Sequence, residues 1–210
     1  MAEYRLYCFA QSGNAYKAAL TLELAGADWE PRFVDFFKGE ARSPEYRAVN
    51  VMGEVPVLEH KGLRLTQSGV ILDYLAGELD RFGPENDEER REILRWILFD
   101  NHKFTSYFAT YRFLKALAKT GDPAVVEFLG QRARAAYAIL DAHLKGRDFV
   151  AADRPTIADL SLAGYVYFAE EGGFDLAAEF PQIAAWAGRI AALPGWKHPY
   201  ELMPGHPLPS

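Results

Sequence analysis

Apolar positions in this chain follow two rhythms, and the change between them falls near residue 80. Before it, short strand-like runs trade places with helical spacing. Tyr4 to Phe9 reads as a strand and Gln11-Ser-Gly-Asn14 as the turn after it. Ala15 to Leu24 has helical spacing, with Gly26 placed to end it. Trp29 to Phe36 is a second strand, Val34 and Phe36 alternating against Asp35. Ser43 then Pro44 make an N-cap followed by proline at the first helical position, opening a short helix to about Val49. Gly53 breaks what precedes it, and Pro56, with a fixed φ and no N–H, suits the start of a strand. Val57 and Leu58 on one side, Leu63 and Leu65 on the other, flank Lys61-Gly62 as a hairpin, the glycine supplying φ > 0. Ser68 stands where an N-cap belongs, ahead of Val70, Ile71, Tyr74, Leu75 and Leu79 at helical spacing.

The order is therefore β-α-β-α-β-β-α within residues 1–79, which fits a thioredoxin-like domain. Asp80-Arg-Phe-Gly-Pro-Glu-Asn-Asp87 follows as a linker, punctuated by Gly-Pro and acidic residues. Residues 88–210 read as all helical. Glu88 to Lys119 is a long, aromatic-rich helix; Val126, Leu129, Ala133, Tyr137, Leu140 and Leu144 mark another, closed by Gly146. Thr156-Ile-Ala-Asp159 is a capping box before an apolar helix, and Pro181 starts one with Ile183, Trp186, Ile190 and Leu193 on one face. The fold class is α/β plus all-α, with a Pro-rich tail from Pro199 to Pro209.

Composition narrows the function classes. A net charge of −6 argues against nonspecific nucleic-acid binding. No apolar run approaches the length of a membrane span and no secretory signal opens the chain, so a cytoplasmic protein is expected. The single cysteine, Cys8, excludes an internal disulfide and a C-x-x-C redox pair; in a strand pattern it reads as a small buried hydrophobe. His60, His143, His198 and His206 have no metal-ligand spacing, and no metal is expected.

Two features carry candidate chemistry. The helix opening at Gln67-Ser68 presents unpaired N–H groups and a partial positive charge, a receptor for a carboxylate or phosphate. Were the Val55–Pro56 bond cis, Val55 would turn its N–H and C=O outward to pair with a peptide-like ligand; the spacing leaves the isomer open. Val55-Pro56 followed eleven residues later by Gln67-Ser68 resembles the glutathione-binding half of the cytosolic glutathione S-transferase family, and the two-domain plan extends the likeness over nearly the whole chain.

That resemblance implies that the strand end at Val55 and Pro56 pairs with the cysteinyl part of glutathione, and that Gln67 and Ser68 hold its γ-glutamyl end. Tyr7-Cys-Phe-Ala-Gln-Ser-Gly-Asn-Ala-Tyr-Lys17 is similar to the serine-type, bacterial turn of the family, which nominates Ser12 as the catalytic hydroxyl and Asn14 as its support. The chemistry asks for little: a free thiol, with a pKa of about 8.5, is only a few per cent thiolate at pH 7. A hydroxyl donating to the sulfur beside a helix N-terminus favours the charged form, and lowering the pKa by about two units needs roughly 2.7 kcal/mol. Lys38 and Arg42 are candidates for the glycyl carboxylate, and Glu54 stands where many members carry a basic or amide residue. Phe104, Tyr107, Phe108 and Tyr111 share a helix side, a pattern that core residues produce. In the family the corresponding helix borders the electrophile site, which nominates Tyr107, Tyr111 and His102, the last in a His102-Lys103 pair similar to one in the beta class.

The expectation is thus a cytoplasmic, homodimeric glutathione S-transferase with glutathione as cosubstrate and a small apolar electrophile as partner. The alternatives are a glutathione-binding regulatory protein of the same fold without turnover, and a glutathione-dependent thiol oxidoreductase.

Overall fold

The computed structural model describes residues 2–208, so Pro209 of the expected tail lies outside the described residues. Four strands, β1 (Tyr4–Cys8), β2 (Trp29–Phe33), β3 (Val57–His60) and β4 (Leu63–Thr66), form one mixed sheet in the order β2-β1-β3-β4. A parallel pair needs a crossover, and α1 (Gly13–Ala25) supplies it between β1 and β2. The β3–β4 hairpin turns in two residues, Lys61 (φ 48) and Gly62 (φ 79), both with the positive φ that suits tight hairpins. β2 stops at Phe33, three residues short of the expected end. It is an edge strand, where Pro31 is tolerated without an N–H, and Phe36 N–H turns back onto Val34 O at 2.8 Å.

α1 buries Ala15, Ala18, Ala19, Leu20 and Leu22 completely. α2 (Pro44–Val49) begins where expected, Ser43 Oγ accepting from Tyr46 N–H at 3.1 Å. Tyr46 packs with Val34, Ala41 and Val57 in a buried cluster. α3 (Ser68–Leu79) buries Ile71, Leu72 and Leu75.

The chain divides into two compact units, but not where a single cut after residue 79 would put it. One unit runs to Arg81 and takes in the chain again from Leu193; the other is Phe82–Ala192. The tail is therefore not part of the helical domain as residues 88–210 implied. It packs with the first unit through contacts no local pattern reveals, among them Tyr16 Oη–H donating to Lys197 O at 2.8 Å and a Lys197–Glu23 ion pair at 2.6 Å.

The second unit holds α4 (Asp87–Phe99), α5 (Thr105–Arg112), α6 (Pro123–Leu144), α7 (Ile157–Val166), α8 (Leu176–Glu179) and α9 (Pro181–Ala191). The long helix expected over residues 88–119 is interrupted by π turns at Asp100–Phe104 and Phe113–Leu117. The first has a visible cause. Asp100 is fully buried and accepts from Thr105 Oγ1 at 2.6 Å and Ser161 Oγ at 2.5 Å, partners that the widened turn aligns. Phe104 stacks on Tyr137 at 4.3 Å, and Phe108, Phe174 and Phe180 close round the same ring.

The capping box forms as expected before α7. Asp159 Oδ2 accepts from Thr156 N–H at 2.9 Å and Thr156 Oγ1–H at 3.1 Å, while Oδ1 accepts from Val150 N–H at 2.8 Å and Trp186 Nε1–H at 2.9 Å. Burial pushes this carboxyl up and the four donors pull it down, with burial prevailing. Among the described residues no helix is long and apolar enough to cross a membrane, and no group of three or more His, Cys, Asp or Glu is placed to hold a metal ion.

Candidate functional site

Strand register decides what meets at the candidate site. Tyr7 pairs with Val57, and Val57 with Thr66. The chain leaving β1 toward Ser12, the chain entering β3 through Val55-Pro56 and the chain leaving β4 at Gln67-Ser68 therefore lie at one end of the sheet.

Ser12 is the N-cap of α1, with an extended backbone (φ −88) and Oγ accepting from Ala15 N–H at 3.1 Å. Its own N–H donates to Phe9 O at 3.0 Å, and only 6 % of the residue is exposed. Accepting the cap bond leaves the hydroxyl with a proton of its own to donate, beside the positive end of α1. Asn14 is half-buried in the first turn of the same helix. Cys8, at the end of β1, is buried, and burial pushes its thiol up to about 12, so it stays neutral near pH 7.

The Val55–Pro56 bond is cis. The carbonyl just before it, Glu54 O, is held twice, by Tyr46 Oη–H at 2.9 Å and Asn50 Nδ2–H at 2.8 Å. Burial raises the Tyr46 phenol well above its ordinary range, which keeps it a donor. Asn50 also accepts from Met52 N–H at 3.1 Å, an Asx turn that sets the loop. Sequence reasoning missed both Tyr46 and Asn50 as supports. An Asn at the end of a short helix, three residues before Gly53, was the available signal.

The N-cap of α3 is Gln67 and not Ser68, a correction to the sequence expectation. Gln67 takes φ 67, a value that a residue with a Cβ adopts only at a cost and that clusters at ligand-binding positions. Its Nε2 donates to Met52 Sδ at 3.0 Å and to Glu54 Oε2 at 3.4 Å, so the unexpected Glu54 touches the candidate γ-glutamyl subsite. Ser68 becomes the first residue of α3, 6 % exposed, with its N–H among those a helix leaves unpaired.

The remaining candidates fare unequally. Lys38 is largely exposed and paired with Asp35 at 3.1 Å; Arg42 is exposed at the end of a 3₁₀ turn leading into α2. In the second unit, His102 is exposed on the first π turn, and Tyr107 is half-buried with the Arg132 guanidinium 5.4 Å from its ring centre. Tyr111 does not match a pocket-lining role. It is 5 % exposed, its hydroxyl donates to Gly172 O at 2.8 Å and accepts from Lys115 Nζ at 2.7 Å, and an added Cβ at Gly130 would lie 2.9 Å from its ring. It fills the core of its unit.

Residues 2–77 match the glutathione S-transferase N-terminal domain and residues 102–194 match the C-terminal domain. The chain belongs to the glutathione S-transferase family. It is 33% identical to a maleylacetoacetate isomerase of Rhizobium meliloti, over 95% of this chain and 97% of that protein. A crystal structure of a possible glutathione S-transferase from Rhodopseudomonas palustris is 35% identical and superposes with a TM-score of 0.84, covering 94% of this chain and 98% of the other. A glutathione transferase family member from Pseudomonas fluorescens, crystallised with two glutathione bound, is 25% identical with a TM-score of 0.82, over 92% and 90% of the two chains.

Proposed function

We propose that this protein is a glutathione transferase that binds glutathione at one end of its first-unit sheet and gives the thiol to a small apolar electrophile. The observation that carries the reading is that Ser12, Val55 and Gln67-Ser68 adjoin strand ends on the same end of the sheet, each beside a helix N-terminus or a strand end. The Val55 backbone pairs with the cysteinyl part of glutathione. Ser68 and the N–H groups opening α3, with Gln67, hold the γ-glutamyl carboxylate. The Ser12 hydroxyl donates to the sulfur and stabilises the thiolate without itself attacking, with Asn14 in support. Arg42 or Lys38 takes the glycyl carboxylate. Tyr107 and His102, half-buried and exposed respectively on the α4–α5 stretch, contribute to electrophile choice. A cytoplasmic homodimer is part of the reading, supported by family membership.

A glutathione-dependent isomerase is the second reading, favoured by the 33% identity to a maleylacetoacetate isomerase. A thiolate that adds and then leaves returns glutathione intact, so the same residues serve both reactions. A cysteine-based oxidoreductase is disfavoured by the buried, neutral Cys8. Calorimetric titration of glutathione, followed by a panel of aryl halides, epoxides and cis-enediones, tests the reading. Conjugate formation supports transfer and release of unchanged glutathione with an isomerised product supports the second reading. Affinity without turnover on any compound means a binding protein, and absence of affinity removes the proposal.

A further inference from the structure

The Ser12 turn is held from outside its own neighbourhood. Ala10 N–H donates to Pro204 O at 2.7 Å, and Gln11 Nε2–H donates to Gly205 O at 2.9 Å. The two bonds grip the residues immediately before Ser12, joining positions 194 apart in the chain. Gln11 is 3 % exposed, so its amide is committed to the interior of this unit and not to solvent.

The tail that supplies these carbonyls is itself fixed. Tyr16 Oη–H holds Lys197 O, α10 (Pro199–Leu202) buries Leu202, Met203 is 3 % exposed, and Tyr200 stacks on His206 at 3.7 Å. Gly205 has φ +96, and a Cβ there would lie 2.5 Å from Phe33 Cε2 at the end of β2. Only glycine lets the tail approach β2 closely enough to present its carbonyl to Gln11.

From this we propose that Gln11 is a positioning residue, and that residues 203–205 form a clamp fixing the Ser12 hydroxyl against the bound sulfur. The inference rests on the proposed role of Ser12. A hydrogen bond that stabilises a thiolate needs its donor held to a few tenths of an ångström, and small displacements of such a group cost rate steeply. The cap bond from Ala15 N–H fixes Ser12 from its C-terminal side only; the clamp fixes it from the N-terminal side.

The test follows the thiolate absorbance of bound glutathione against pH in full-length wild type, Gln11→Met, Gly205→Ala and Ser12→Gly, with glutathione affinity measured by calorimetry. Gln11→Met keeps the side-chain length and removes the donor; Gly205→Ala displaces the acceptor and serves if the first variant folds poorly. The expected result is a bound-thiol titration moved upward by about one unit in both, turnover at neutral pH reduced by about three- to eightfold, and affinity within about threefold of wild type. Combining the two should add little to the larger single effect, because both break one link. Wild-type titration curves in both variants, with Ser12→Gly displaced, would overturn the clamp and leave the role of Ser12 standing. An undisplaced Ser12→Gly would overturn both. Loss of affinity and melting temperature with an unmoved titration would reduce the contact to a fold contact and overturn the proposal.

Discussion

Replacing Asp159 should cost the helical unit a large part of its stability, in two steps that its hydrogen bonds separate. Oδ1 serves Val150 N–H and Trp186 Nε1–H; Oδ2 serves Thr156 N–H and Oγ1–H, all of them buried. Asp159→Ala strands three buried N–H donors, each worth about 1–3 kcal/mol when unsatisfied, so a loss of at least about 3 kcal/mol is expected. Asp159→Asn keeps one oxygen for Val150 and Trp186 but turns an NH₂ toward the Thr156 N–H, donor against donor, for roughly half that loss. In a chain of this size about 3 kcal/mol lowers the melting temperature by roughly 6–12 °C. Burial holds the carboxyl above its ordinary 3.8. The group's contribution therefore falls as pH rises from 3.8 through the folded value. Urea unfolding of the three proteins at pH 7 measures the series. Asn behaving as wild type, or costing as much as Ala, would refute the division between the two oxygens.

Three further outcomes follow from the geometry. The Tyr137 hydroxyl is fully buried with no hydrogen-bond partner among the described residues, so Tyr137→Phe should raise stability by about 1 kcal/mol, read as a melting temperature higher by roughly 2–4 °C; a lower one would mean the hydroxyl is satisfied. Ser68→Ala should weaken glutathione at least about tenfold in calorimetry with the circular dichroism spectrum intact, since a bond to a charged partner is worth about 1.5–3 kcal/mol, and an unchanged affinity would remove the carboxylate assignment. Tyr107→Ala should change the ranking of electrophiles by size with glutathione affinity preserved, whereas a uniform loss across substrates would assign Tyr107 to folding.

What the sequence revealed and what it hid divide along sequence distance. The Lys61-Gly62 hairpin, the Ser43-Pro44 helix start and the Thr156–Asp159 box are each written in a few adjacent residues, and each forms. The π turn at Asp100 was not legible, because Ser161, which helps hold its carboxylate, lies 61 residues away. The return of the tail to the first unit was hidden for the same reason: Gln11 meets Gly205 only in three dimensions. At the candidate site, local propensity favoured Ser68 as N-cap, but the tertiary setting gives that place to Gln67 at positive φ. Helical spacing set Tyr107 and Tyr111 on the same side without separating the half-buried ring from the core one.

Ser12 caps α1 as well as being the proposed donor to the sulfur, so the decisive measurement must separate the cap from the hydroxyl. Alanine at an N-cap costs about 0.5–2 kcal/mol, glycine only a few tenths, yet both delete the hydroxyl. The measurement is the pH titration of the thiolate absorbance of bound glutathione in wild type, Ser12→Gly and Ser12→Ala. In wild type the bound thiol should titrate one to two units below its free value of about 8.5, and both variants should return it toward that value by the same amount with glutathione affinity nearly unchanged. Curves for Ser12→Gly that coincide with wild type, whether or not Ser12→Ala is displaced, would contradict the claim that this hydroxyl holds the thiolate.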